Sequence, residues 1–177
     1  MGRISRFANF PRYLKQVDAE LGCIPTNIAA VLQSFGISPV EANEANIIRA
    51  YLRSICFEKV ANSDILGRLG QIINRDMSRT LHVKHQSDFT SFFEWWDTVA
   101  DWINNMDTPV LFSFCPGGSY HIRTAVGAHP EKLETFDPWP CAFSTTSDGT
   151  LDVSKTELEA MWPSNRLAHE ILVIAQA

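Results

Sequence analysis

The hydrophobic pattern of this chain changes its period near residue 105. Four segments before that point show the spacing of three to four residues that is typical of amphipathic helices: 25–35, 41–53, 63–74 and 91–104. Three later runs are rich in β-branched and aromatic residues, with Gly and Pro breakers between them: 109–115, 120–129 and 132–137. The first group predicts helices, and the second predicts consecutive antiparallel strands.

Helices followed by strands predict an α+β fold in a single domain over residues 1–177. We expect a helical subdomain over about 12–105 and an antiparallel sheet subdomain over about 108–177. A short helix that Ser154 caps and a last strand over 167–176 complete the second half. With 45% apolar residues, the chain has enough apolar side chain for a full core.

Charge and hydropathy exclude several classes of partner. Lys and Arg number 15 against 20 Asp and Glu, so the net charge of −5 gives no general attraction to nucleic acid or to an anionic membrane. No apolar run approaches the roughly 20 residues that cross a bilayer. The N-terminus lacks the apolar core of a signal peptide. We therefore expect a cytoplasmic protein, or one that is exported without a leader as an effector.

The four cysteines are widely spaced and form no Cys-x-x-Cys pair, which favours reduced thiols: Cys23, Cys56, Cys115 and Cys141. Cys23 differs because it lies just before Pro25, at the start of the first predicted helix. Unpaired backbone N–H groups and the positive end of the helix dipole favour a thiolate there. Position alone leaves two interpretations open, a reactive thiol and a buried structural cysteine.

His121 follows a Gly-Gly turn and begins a predicted strand, and Asp137 ends the next strand. If the two strands form a hairpin around 127–130, a residue near 135–137 faces position 121. Singly, a strand-end histidine and an aspartate before a proline are common surface features. Together with Cys23, they supply a nucleophile, a base and a carboxylate that orients the base.

No metal or cofactor site is expected. His82 and His85 are three residues apart, a spacing that directs side chains to opposite faces of a strand, and no acidic residue or cysteine completes a ligand set. The Gly-Gly turn at 117–118 lacks the pattern of a phosphate-binding loop.

Residues 16–36 and 109–138 resemble papain-like cysteine peptidases, in particular the C39 group of bacteriocin-leader peptidases. The resemblance implies a papain-like fold, with Cys23 as the nucleophile on the first long helix. It also implies that His121 is the general base and acid, that Asp137 orients His121, and that Gln16 donates to the oxyanion beside the backbone N–H of Cys23.

One departure from that group lies next to the nucleophile, where Ile24 stands in place of the usual Gly and narrows or reshapes the expected cleft. The residues expected to line the substrate cleft are Ile24, Gly118, Tyr120 and Trp139. The expected partner is a protein or peptide substrate, and the sequence leaves the oligomeric state open.

Three functions are consistent with these residues. The first is a cysteine peptidase that cleaves a peptide or isopeptide bond through an acyl-enzyme on Cys23. The second uses the same triad for protein deamidation or acyl transfer, since the acyl-enzyme is shared. The third is an inactive papain-like module that binds a protein, a reading that Ile24 keeps open.

Overall fold

The computed structural model describes residues 2–3, 10, 23–36, 81–114, 121–138, 150–164 and 166–176. The helices predicted over 41–53 and 63–74 lie outside these residues. The described helices are α1 (Cys23–Ser34), α2 (Phe92–Asn104) and α3 (Lys155–Met161). The described strands are β1 (Gly2–Arg3), β2 (Leu81–Gln86), β3 (Val110–Phe114), β4 (His121–His129), β5 (Lys132–Phe136), β6 (Thr150–Ser154) and β7 (Leu167–Gln176).

The strands of the described residues form one antiparallel sheet in the order β2-β7-β3-β4-β5-β6, with β1 also paired to β4. The strands β4 and β5 form the predicted hairpin, but the expected register was wrong: the turn lies at 130–131, His129 lies opposite Lys132, and Phe136 lies opposite Thr124 and not opposite position 121. The strand β7 lies between β2 and β3, inside the sheet and not at its edge.

Strand β2 corrects one expectation from the sequence. It lies within the segment predicted as helical, yet it pairs along its whole length with β7, from Leu81 opposite Gln176 to Gln86 opposite Ile171. Its sequence, LHVKHQ, has the alternation of a strand with one covered face. The change of period near residue 105 is therefore not the boundary of the sheet.

The ends of the described helices follow ordinary capping rules. Gly36 has a φ of 81°, the left-handed conformation that ends a helix readily only at glycine, and it closes α1 as predicted. The Ser91 side chain accepts from the Glu94 N–H at the start of α2. At α3, Ser154 and Glu157 form a complete capping box.

The core lies where the helices cover the sheet. Trp95 of α2 is fully buried and meets the ring of Phe112 on β3 edge to face at a centroid distance of 5.6 Å. On α1, Ile28, Val31 and Leu32 are buried in the same core. These contacts fix α1 against the sheet and so determine where its first residue, Cys23, lies. Among the helices that the structure describes, none is both long and apolar enough to cross a bilayer.

Candidate active site

Cys23 is the first residue of α1, and its side chain is buried. Pro25 lies in the first helical turn, where the missing N–H of proline costs no hydrogen bond. The backbone N–H groups of that turn have no acceptor inside the helix, and they form the positive end of the helix dipole. A thiolate on Cys23 is therefore in an electrostatically favourable place.

His121 and Asp137 meet at the open end of the β4–β5 hairpin. The His121 Nε2–H donates to Asp137 Oδ1 at 2.8 Å. The side chain of Asp137 is 1% exposed and that of His121 is 14% exposed, so the pair is largely shielded from water. The hydrogen bond holds the ring through Nε2 and leaves Nδ1 for a second partner.

On the other side of the pair, Cys23 lies close enough to the His121 ring to raise the pKa of the ring. Burial by itself lowers the pKa of His121, but the hydrogen bonds to Asp137 and Cys23 and the negative charges of both groups raise it to about 9. At neutral pH the ring therefore carries a proton. The structure thus brings together the three residues Cys23, His121 and Asp137.

Arg123 is a fourth member of the cluster that the sequence reasoning did not find. Its Nε–H donates to Asp137 Oδ2 at 2.7 Å, and its side chain is buried. Residues 121 and 123 lie on one face of β4 because strand side chains alternate, so both reach the same carboxylate. Burial lowers the pKa of Arg123, and the charge of Asp137 acts against that shift. In the sequence, the signal for Arg123 was a cation two residues after His121 in a strand whose other residues are uncharged or histidine.

Asn27 is a second site neighbour that was missed. It lies one turn after Cys23 on α1 and is fully buried. Its side-chain amide donates to the carbonyl of Cys23 at 2.8 Å and to that of Ile122 at 3.0 Å. A polar residue four positions after the cysteine, on the apolar face of the helix, was the available signal.

Several predicted site residues lie outside the described part of the chain: Gln16, Gly118, Tyr120 and Trp139. Ile24 is part of α1, but the structure describes only its backbone. The oxyanion donor and the cleft walls therefore stay predictions from the sequence.

A second histidine–carboxylate pair lies in the same sheet, across β2, β3 and β7. The His85 Nε2–H donates to Glu170 Oε2 at 2.8 Å, and the Ser113 hydroxyl donates to Glu170 Oε1 at 3.4 Å. Glu170 is buried, with a side chain 4% exposed. The carboxylate is the central group here, whereas the imidazole is central in the first cluster.

Metal chemistry finds no support in the part of the chain that the structure describes. Within those residues, no group of three or more His, Cys, Asp or Glu side chains is placed to hold a metal ion.

No protein-family model matches this sequence, and none of the curated proteins matches it. Two solved structures have a similar fold. One is a protein described as a C39-like peptidase from Bacillus anthracis, with 14% identity and a TM-score of 0.61, covering 100% of this chain and 98% of the other. The second is the peptidase domain of Streptococcus ComA, a bifunctional ABC transporter involved in quorum sensing. It has 16% identity and a TM-score of 0.52, and the match covers 93% of this chain and 97% of that domain.

The chain therefore has the fold of these C39-like peptidase structures, a mixture of helices and antiparallel sheet. This agrees with the resemblance that the sequence carries at residues 16–36 and 109–138. Both solved structures are matched over nearly their whole length, so the likeness covers the complete fold and not one motif.

Proposed function

We propose that this protein is a cysteine peptidase that cleaves a peptide bond through an acyl-enzyme on Cys23. The observation that carries the proposal is the position of the His121 ring between the Cys23 side chain and Asp137 Oδ1. A nucleophile, an imidazole and an orienting carboxylate in this order form the triad of thiol hydrolases. The C39-like fold supports the same assignment.

The resting site is a thiolate–imidazolium pair. Since the pKa of His121 is raised to about 9, the ring holds its proton at neutral pH and stabilises a negative sulfur beside it. Asp137 accepts from Nε2–H and so directs Nδ1–H toward Cys23. The buried Arg123 fixes the other oxygen of Asp137, which keeps the carboxylate from turning away from the ring.

In the acylation step, Cys23 Sγ attacks the carbonyl carbon and forms a C–S bond, and the negative charge moves to the carbonyl oxygen. The backbone N–H of Cys23 and the Gln16 amide donate to this oxyanion. When the C–N bond breaks, His121 gives its proton to the leaving amine, and a thioester remains on Cys23. In deacylation the now neutral His121 removes a proton from water, the hydroxide displaces sulfur, and a carboxylic acid leaves.

Two measurements test the proposal. In the first, iodoacetamide labels the folded protein between pH 5 and 9, and mass spectrometry reads the rate at each cysteine. We expect labelling at Cys23 to be faster than at the other three cysteines and already measurable at pH 6, because the His121 ring stabilises a negative sulfur. His121→Ala slows it. Labelling of Cys23 that rises only above pH 8 and ignores His121→Ala would overturn the thiolate pair.

In the second measurement, a tryptic peptide mixture from a bacterial proteome is incubated with the protein and with Cys23→Ala. Peptidase activity gives new termini that the variant does not produce, with a loss of about 10⁴-fold or more. Amide-to-acid exchange without cleavage indicates a deamidase, and condensed adducts indicate acyl transfer. An unchanged peptide mixture, together with slow iodoacetamide labelling of Cys23, indicates the inactive binding module.

A further inference from the structure

Asn27 joins the two elements that carry Cys23 and His121. Its Nδ2 donates one N–H to the carbonyl of Cys23 at 2.8 Å and the other to the carbonyl of Ile122 at 3.0 Å. The first carbonyl belongs to Cys23 itself, and the second to the residue directly after His121. Asn27 and Ile122 are 95 residues apart in sequence, so this contact exists only in the folded chain.

Thr124 fixes the orientation of this amide. Its hydroxyl donates to Asn27 Oδ1 at 2.6 Å, and both residues are fully buried. Two carbonyls accept from the nitrogen and a hydroxyl donates to the oxygen, so the amide has one orientation that satisfies all three bonds. Thr124 lies three residues after His121 on β4, and the three hydrogen bonds therefore connect the first turn of α1 to the start of that strand.

Packing by itself favours an apolar side chain at this position. Ile28, Val31 and Leu32, which share α1 with Asn27, are apolar and buried, and leucine is similar in size to asparagine. A buried amide is stabilising only when its hydrogen bonds are made, and each bond adds about 1 kcal/mol. What the amide provides and a leucine does not is a directional contact with two chosen carbonyls.

We propose that Asn27 and Thr124 form a positioning clamp that holds the Cys23 thiol against the His121 ring. The inference rests on the proposed role of the Cys23–His121 pair and assigns to Asn27 no contact with the substrate. Displacement of reacting groups by about 1 Å costs on the order of 10²-fold in rate. Loss of the clamp therefore weakens the pair even when the fold is intact.

The test separates positioning from stability with one double variant. Asn27→Leu alone leaves the Thr124 hydroxyl without its acceptor in the core, which destabilises the fold. Asn27→Leu combined with Thr124→Val removes the amide and the hydroxyl together, so that only the carbonyls of Cys23 and Ile122 lose a donor, and it costs less stability than Asn27→Leu alone. Thr135→Val is the matched control, because that buried hydroxyl donates to the Leu151 carbonyl on β6 and does not touch α1 in the described contacts.

The readout is the titration of the His121 ring by NMR, with and without Cys23→Ala in each background; His121→Ala assigns the resonance. In the wild type, Cys23→Ala lowers the midpoint of the titration because the partner of the ring is lost. In the double variant we expect Cys23→Ala to shift the midpoint by less than half as much. In Thr135→Val, Cys23→Ala shifts the midpoint as much as in the wild type. In Thr124→Ser, which keeps the hydroxyl, the shift is close to the wild-type shift.

Two results would overturn the clamp. One is an equal effect of Cys23→Ala on His121 in the wild type and the double variant, and the other is no effect of Cys23→Ala in the wild type. Neither depends on cleavage of any peptide. If the double variant shows the smaller shift but the protein cleaves no peptide, the clamp is supported and the peptidase proposal is not. The two proposals therefore fail separately.

Discussion

In the described part of the sheet, two histidine–carboxylate pairs have a buried carboxylate, Asp137 in one and Glu170 in the other, and the pairs differ in the order of their groups. In both, the histidine Nε2–H donates to a carboxylate at 2.8 Å. At the first pair the ring of His121 lies between Asp137 and Cys23, whereas at the second the carboxylate of Glu170 lies between His85 and Ser113.

This order decides what each pair can do. A proton moves from a nucleophile to a histidine only if the nucleophile contacts the ring, as Cys23 does. The Ser113 hydroxyl donates to the carboxylate and not to the ring, at a long distance of 3.4 Å, so the histidine does not receive a proton along that bond. A histidine bonded to a buried carboxylate is therefore not by itself a sign of a catalytic site.

The largest expected effect comes from neutralising Asp137, and the same change at Glu170 is the control. Asp137→Asn loses about 10³- to 10⁴-fold of the Cys23-dependent cleavage rate, because an amide favours the wrong tautomer of His121. Glu170→Gln changes that rate by less than about threefold, because Glu170 acts on no atom of the Cys23–His121 pair. The rates are measured on one cleaved peptide, and similar losses in both variants would remove the distinction between the pairs.

The next effect concerns Arg123, whose cation distinguishes the Asp137 cluster. Arg123→Met leaves the buried Asp137 with one charged partner fewer, and breaking a buried ion pair in this way costs about 3–5 kcal/mol in the free energy of unfolding. Chemical denaturation at neutral pH measures it. Lys132→Met is the control, because its ion pair with Asp152 is exposed and its loss therefore costs much less than the loss of the buried pair. Equal losses would contradict the buried role.

The pH dependence of the free energy of unfolding tests whether the His121 ring is protonated in the folded protein. The folded pKa of His121 is raised from 6.5 to about 9, so the ring binds its proton more tightly in the folded state. The contribution of the ring itself is fully present below pH 6.5 and is lost as the pH rises through about 9, and ionisation of Cys23 beside it in the folded state offsets part of this loss. His121→Gln removes that decline. Unfolding free energies that fall in parallel for both proteins between pH 6.5 and 9 would argue against a proton on the ring.

The smallest effect is expected at the second pair. Ser113→Ala removes one long hydrogen bond to Glu170 and costs at most about 1 kcal/mol in the free energy of unfolding. Iodoacetamide labelling of Cys23 stays at the wild-type rate in this variant. A clear change in that rate would show that the two clusters are coupled through the sheet.

The sequence predicted the local elements of the described fold well. Amphipathic spacing located α1 and α2, Gly36 marked the end of α1, and the breakers around 127–130 located the hairpin. Each of these signals comes from residues within one or two turns of each other, where backbone preferences and alternation act directly. Strand β2 lay outside the four predicted helices, but its place in the sheet was not predicted, because a six-residue strand gains its stability from its partner β7.

Part of the candidate site also followed from the sequence. A cysteine at a helix start, a histidine at a strand start and an aspartate at the next strand end are local positions, and a hairpin brings the last two together. Their roles in chemistry stay a proposal, as do the roles of Gln16 and of the expected cleft residues.

The sequence by itself thus determined which segments become helices and strands and which side chains stand at their ends. Only the tertiary structure decided that Arg123 shares Asp137 with His121, that Asn27 reaches Ile122, and that Ser113 faces a carboxylate instead of a ring. Local periodicity fixes which face a residue occupies, but not which face of another element it meets. That choice depends on strand register and helix packing, which are set by burial of the whole core at once.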